Sequence, residues 1–232
     1  MQYNLQTTLL TSLEKTCFPK PKGNYIIRNG RLIWVNPNVY LQSSGTQYID
    51  TGFKPTANTE IEVAMTSATS GGTYPEISVG SRVGANDSAF VIYARAHGNN
   101  SGFALGNYTN IFYVQVDPTI KHIYKLSSPT TSCLVDGILA SSSLPSFDGN
   151  SYAIYLFGMN NGGTSVQYQY RLGKIYYVKI WDNDTLVRHF VPVPEGLVIG
   201  NFTCPNNGMF DIVNQQFYGN SGTGDFTCGK NS

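Results

Sequence analysis

Hydrophobic and polar positions alternate with a period of two along most of this chain. The pattern is clearest over residues 173–193, GKIYYVKIWDNDTLVRHFVPV. Tyr176, Val178 and Ile180 fall on one face of an extended segment; Ile175, Tyr177, Lys179 and Trp181 fall on the other. Period two in β-branched and aromatic residues predicts a strand. Asp182-Asn183-Asp184 interrupts it with residues that tolerate left-handed backbone angles. Leu186, Arg188 and Phe190 then alternate with Val187, His189 and Val191 in a returning strand. Pro192 and Pro194 are expected to end it, because proline cannot donate to a ladder. Apolar residues on both faces place this hairpin inside a layered β structure.

The same alternation predicts strands over 39–41, 46–51, 59–66, 76–80, 89–96, 102–105, 111–116, 122–127, 131–135, 138–140, 152–158, 209–213 and 216–218. Many short strands with frequent turn signals indicate an all-β sandwich or jelly roll. The absence of a fixed-period repeat disfavours propellers and solenoids. Residues 1–16 differ. Leu5, Leu9 and Leu13 recur at helical spacing with Leu10 alongside, which predicts a short amphipathic helix that needs a partner to be stable. Residues 18–23 read as a break. Residues 25–35 predict a β-hairpin with Asn29-Gly30 at its turn, ended by Asn36-Pro37-Asn38. The chain therefore divides into an attachment arm over 1–38, a helix plus a hairpin, and a β sandwich over 39–232.

Composition narrows the setting. Charged residues make up 12% of the 232 and aromatics 13%, with 24 glycines. The charged share is about half the usual one, so Asn, Ser, Thr, Gln and Gly must dominate the surface, as in extracellular and virion-surface proteins. The net charge is +1 with no basic cluster, which argues against a nucleic-acid partner. No apolar run is long enough for membrane insertion, and no signal peptide is evident. Cys17, Cys133, Cys204 and Cys228 lack CxxC spacing and the histidines are scattered, which speaks against zinc. Cys204 and Cys228 bracket the last hairpin, as a disulfide or as two free thiols.

Three segments together resemble a known group. Residues 40–52 (YLQSSGTQYIDTG) resemble the opening strands of concanavalin A-like, laminin-G-like jelly rolls of tailed phages and gut bacteria. Residues 173–181 are similar to a late strand of that group. Residues 208–226 (GMFDIVNQQFYGNSGTGDF) resemble its C-terminal signature. The resemblance covers about 40–229 and leaves the first 38 residues outside. Its motifs are turn glycines and core aromatics with no catalytic residue, so it implies fold and context: a concanavalin A-like jelly-roll β sandwich in a fibre, tail or head decoration at the virion surface, assembled in the bacterial cytoplasm. It implies other virion proteins as partners through 1–38, a host-surface glycan as ligand, and a homo-oligomer, commonly a trimer in phage fibres.

An enzyme is not expected. Retaining glycosidases need two carboxylates about 5–5.5 Å apart, and the nearest arrangement here is Glu60-Ile61-Glu62, without the alternating acidic pattern of jelly-roll glycanases. No GxSxG, HExxH or P-loop occurs. An extracellular carbohydrate-active enzyme or carbohydrate-binding module is the alternative. No cofactor is expected; Asp182 and Asp184 could offer Ca²⁺ hard oxygen ligands, and a turn uses the same residues for backbone reasons. For ligand binding, Phe90, Ile92, Ala94 and Ala96 form one face of a strand while Val91, Tyr93, Arg95 and His97 form the other. Tyr93, Arg95 and His97, with Asn99 and Tyr108 nearby, offer a ring and fixed polar groups suited to a polar ligand on an outer sheet face. An ordinary exposed strand face would read the same way.

Overall fold

The computed structural model describes residues 23–69, 75–84, 87–163, 165–167 and 173–231. The helix expected over 1–16 lies outside them. The described chain is all-β, a jelly-roll β sandwich of a ten-stranded and an eight-stranded sheet. No helix among the described residues is long and apolar enough to cross a membrane.

The larger sheet runs Ile138–Ser141, Ser132–Val135, His122–Ser127, Thr59–Ser67, Gly173–Asp182, Thr185–Val193, Gly208–Asp211, Gln216–Tyr218. Val39–Ser43 also pairs with Gly173–Asp182, and Thr227–Lys230 pairs with Val39–Ser43. The smaller sheet runs Ser165–Gln167, Gly158–Asn161, Glu76–Arg82, Ser88–His97, Asn100–Asn107, Phe112–Gln115. Ile61, Val63, Val178, Ile180 and Phe190 from the first sheet meet Val79, Phe90, Ile92, Phe103 and Leu105 from the second in one dry core.

The hairpin turns form as their residues dictate. Asn29-Gly30, Asp136-Gly137 and Asn183-Asp184 all have positive φ at both positions, the requirement of a two-residue turn that matches strand twist. The strand faces are less simple. In Gly173–Asp182 the register against Thr59–Ser67 slips between Ile175 and Tyr177, so Tyr176 is the extra residue of a bulge. The core face is therefore Ile175, Val178 and Ile180, and the expected set of Tyr176, Val178 and Ile180 is corrected. Likewise Thr185–Val193 runs through Pro192, which sits opposite Met209. The ladder to Gly173–Asp182 has ended at Val178–Phe190, so the missing proline N–H leaves no partner unsatisfied there.

Two motifs of the resemblance interlock. Thr46 Oγ1 donates to the Thr223 carbonyl at 2.7 Å, Gln47 Nε2 to the Asp225 carbonyl at 3.2 Å, and the Tyr48 N–H to Asn220 Oδ1 at 3.2 Å. The opening strand and the C-terminal loop are thus one structural unit.

The hairpin of Tyr25–Arg28 and Arg31–Val35 is laid on the sandwich. Leu32 is fully buried and packs with Val191, Val193, Ile199 and Phe210 in a second core. Gly30 and Gly200 meet backbone to backbone: a Cβ on Gly30 would lie 3.2 Å from Gly200 Cα. Cys204 and Cys228 are free thiols. Burial pushes Cys204 up to about 11, and Cys228 Sγ lies 3.9 Å from the Tyr25 hydroxyl.

Candidate functional site

Two of the residues expected on an open face of Ser88–His97 are not open. Tyr93 and Arg95 are 0% and 1% exposed. Two features close that face. The register slips between Tyr93 and His97, so Ala96 joins Tyr93, Val91 and Met159 in a third small core. Gly102 then lets the following loop approach: a Cβ there would meet Ala96 at 2.6 Å and Ile111 at 3.0 Å. Tyr108 and Ile111 pack over the cluster, and Tyr93 donates a hydrogen bond to Tyr108 at 3.1 Å. The Arg82 guanidinium lies 3.9 Å from the Tyr108 ring centroid.

Arg95 is buried in an ion pair, and its Nε and Nη1 have no hydrogen-bond partner among the described residues. Its Nη2 contacts Glu76 Oε1 at 2.6 Å, with both side chains buried. Ser67 and Thr69 hydroxyls also donate to Glu76. Burial pushes the Glu76 carboxyl up, and the hydrogen bonds from Arg95, Ser67 and Thr69 outweigh it, holding the group below the usual carboxylate range. His97 and Asn99 are exposed at the strand end and the adjoining turn. The five expected residues therefore do not form one surface.

The calcium candidates are explained by the turn. Asp182 Oδ1 accepts hydrogen bonds from the Thr56 and Thr59 hydroxyls, and Asp184 occupies a left-handed turn position. Among the described residues no three His, Cys, Asp or Glu side chains gather as a metal site needs.

The structure brings together a different set. The docked hairpin and the outer face of the ten-stranded sheet enclose a groove of about 240 Å³. Ile33, Trp34, Val35, Asn36 and Pro37 form the hairpin wall; Tyr176, Tyr177, Lys179, His189, Val191 and Ile212 form the floor. The bulge at Tyr176 turns Tyr177 and Lys179 outward, and His189 lies opposite Lys179.

The floor is organised around Glu62. Tyr177 donates to Glu62 Oε1 at 2.9 Å, and Lys179 Nζ lies 3.5 Å from the same oxygen. Burial, with the carboxylate beside it, pushes the Tyr177 phenol up. The His189 ring stands nearly perpendicular to Tyr177, centroids 6.2 Å apart. Burial and the nearby Lys179 charge lower the imidazole from 6.5 to about 4, against a smaller opposing effect of Asp211. The buried Asp211 holds the His189 backbone, accepting its N–H at 2.9 Å. The His189 ring nitrogens have no hydrogen-bond partner among the described residues, unlike those of His122, which contact Asp136 and the Asp117 carbonyl. Rings on two sides, a neutral imidazole and a compensated ion pair suit a small polar ligand with apolar faces.

Two of the larger clefts have side-chain amides already engaged by the protein. One of about 530 Å³ includes Asn207 and Asn220, whose amides are tied to the Glu195 N–H and to the Phe226 and Gly224 carbonyls. Another, of about 420 Å³, is lined by Ile199, Phe202, Phe210 and Phe217, and its Gln215 amide is occupied by Leu32 and Ile212. Sequence reading missed the small groove because Trp34 and Tyr177 meet only once the hairpin docks. The signal present was the pair of outward aromatic and basic residues, Tyr177 and Lys179, beside His189.

No family model matches the chain, and no curated protein matches it. Among solved structures, it is similar to the native heptameric SAP-like pentraxin from Limulus polyphemus, at 11% identity over 84% of this chain and 95% of that one, with a TM-score of 0.48. That likeness is weak, and the jelly-roll assignment rests on the strand pairing described above.

Proposed function

We propose that this protein is a non-enzymatic attachment module of a phage virion, holding a host-surface glycan in the groove between the Ile33–Pro37 wall and the sheet. The observation that carries the reading is the groove itself: Trp34 and Tyr177 offer rings, and His189 offers unused hydrogen-bonding nitrogens beside a balanced Lys179–Glu62 pair. The virion setting is supported by the resemblance of residues 40–52 and 208–226 to phage jelly rolls and by the low charge of the chain. In this reading residues 1–38 supply contact to other virion proteins, and copies of the chain associate.

Catalysis by Glu60 and Glu62 is the weaker reading. They share the outward face, but Lys125 lies 3.2 Å from Glu60 and Lys179 3.5 Å from Glu62. A glycosidase needs one carboxyl able to hold a proton, and a lysine beside each opposes that.

The test is binding of purified protein to a glycan array and to host cells, alongside Trp34→Ala and Tyr177→Ala. Saturable binding lost in both variants, with folding retained by circular dichroism, is the expected result. Binding unaffected by either variant would remove the groove as the site.

A further inference from the structure

Resting on the glycan reading, we propose that the groove takes one uncharged sugar residue and that His189 is the side chain that reads its hydroxyls. Size sets the first limit. At about 240 Å³ the groove falls below the roughly 300–1,000 Å³ of drug-sized pockets, so it fits a single ring of a longer chain.

Charge sets the second. The titratable groups facing the groove are Tyr176, Tyr177, Lys179 and His189, with Glu62 beside Lys179 and Lys121 at the edge, where its Nζ donates to the Pro37 carbonyl at 2.9 Å and lies 4.6 Å from the Tyr176 ring centroid. Lys179 and Tyr177 both already serve the Glu62 carboxylate. The Tyr176 hydroxyl accepts from Asn231 Nδ2 at 2.7 Å. The hairpin wall carries no ionisable side chain. To pair with Lys179, a sugar carboxylate, sulfate or phosphate would have to draw it away from Glu62 and leave that acid half-buried without its cation, a costly exchange, and Lys121 at the edge is engaged by the Pro37 carbonyl. A neutral ring displaces nothing.

Hydrogen-bond inventory sets the third. A neutral imidazole has one N–H donor and one bare acceptor nitrogen, and a sugar hydroxyl is both acceptor and donor. Asp211 holds the His189 backbone through its N–H, and the Tyr177 ring stands against one side of the imidazole. Trp34 offers a flat surface on which the C–H face of a pyranose rests; the Tyr177 ring beside it carries Lys179 Nζ 5.0 Å from its centroid.

The experiment is saturation-transfer NMR and calorimetry on the full chain. The probes are methyl glycosides of neutral hexoses and N-acetylhexosamines, compared with N-acetylneuraminic acid and glucuronic acid. Neutral probes should bind, and acidic ones should bind at least about tenfold more weakly. His189→Leu should weaken the neutral probe about tenfold, the scale of a lost hydrogen bond or two. His189→Gln, which keeps a donor and an acceptor, should recover much of that. Equal or tighter binding of the acidic sugars would overturn the proposal. So would Trp34-dependent binding indifferent to His189→Leu, which would leave the glycan reading standing. Absence of binding by every probe and by the glycan array would remove both.

Discussion

The side-chain amide of Gln215 pairs with the backbone of Leu32 in both directions. Gln215 Oε1 accepts the Leu32 N–H at 3.1 Å, and its Nε2 donates to the Leu32 carbonyl at 2.9 Å and to the Ile212 carbonyl at 2.7 Å. One amide thereby imitates a strand neighbour and fixes the hairpin against the closing turn of the ten-stranded sheet. Gln215 holds a left-handed conformation, φ 57°, to reach that position. The groove wall at Trp34 is two residues from this clasp.

Replacing Gln215 by Ala removes all of these bonds and leaves the Leu32 N–H to find water. With each of the three net hydrogen bonds contributing about 0.5–1.5 kcal/mol, the variant should lose about 1.5–4.5 kcal/mol. Urea denaturation measures the loss. Trp34 emission in a Trp181→Phe background should shift to the red as the wall loosens. An unchanged midpoint and spectrum would show that the clasp does not hold the hairpin.

Removing residues 1–38 should destabilise the sandwich. The cut takes away Leu32 and uncovers Val191, Val193 and Phe210. Loss of one large buried aliphatic side chain alone costs about 2–5 kcal/mol. Thermal melts of the truncated and full chains decide this; equal midpoints would mean the hairpin is a dispensable arm.

Tyr93 and Arg95 should behave as core residues. Tyr93→Ala should cost about 3–5 kcal/mol, the scale of a buried aromatic truncation, against about 0.5 kcal/mol for a surface site. Arg95→Met leaves the Glu76 carboxylate buried without its cation and should cost a similar 3–5 kcal/mol. The Arg95→Met, Glu76→Gln double variant should recover part of it. Chemical denaturation of the set provides the measurement, and near-wild-type midpoints for both single variants would contradict the burial.

Acid should destabilise the fold in two stages. The His189 imidazole is lowered from 6.5 to about 4 in the fold. Between those values the unfolded chain binds a proton that the folded chain refuses, so stability is full above about 6.5 and falls as pH drops toward 4. Glu76 and Asp136 follow in the usual carboxylate range. Each is raised by burial and lowered further by hydrogen bonds, from Arg95, Ser67 and Thr69 to Glu76, and from the Ile123 N–H and His122 to Asp136. Their contributions are present above the unfolded carboxylate value and are lost as pH falls through the depressed folded one. Urea midpoints from pH 7 to 5 should decline in the native chain and decline less in His189→Leu. Parallel profiles would show that His189 is not the group responsible.

Local chemistry determined much of this protein in advance. Asn29-Gly30 and Asp136-Gly137 announce their turns because those residues tolerate positive φ, and alternation over 59–66 and 122–127 announces strands because one face must leave water. The resemblance of 40–52 and 208–226 pointed to the jelly roll. Only the tertiary structure decided which face of a strand is which. A single bulge residue at Tyr176, and the slip after Tyr93, each shift the phase of alternation, and period-two reading has no means of seeing an inserted residue. It also decided that an outer face could be buried, since Gly102 admits Ile111 over Tyr93 only when the loop folds back. The groove belongs to that second kind of information. Trp34, Tyr177 and His189 lie far apart in the chain, and they share a wall and floor because Leu32 buries itself and Gln215 locks it there.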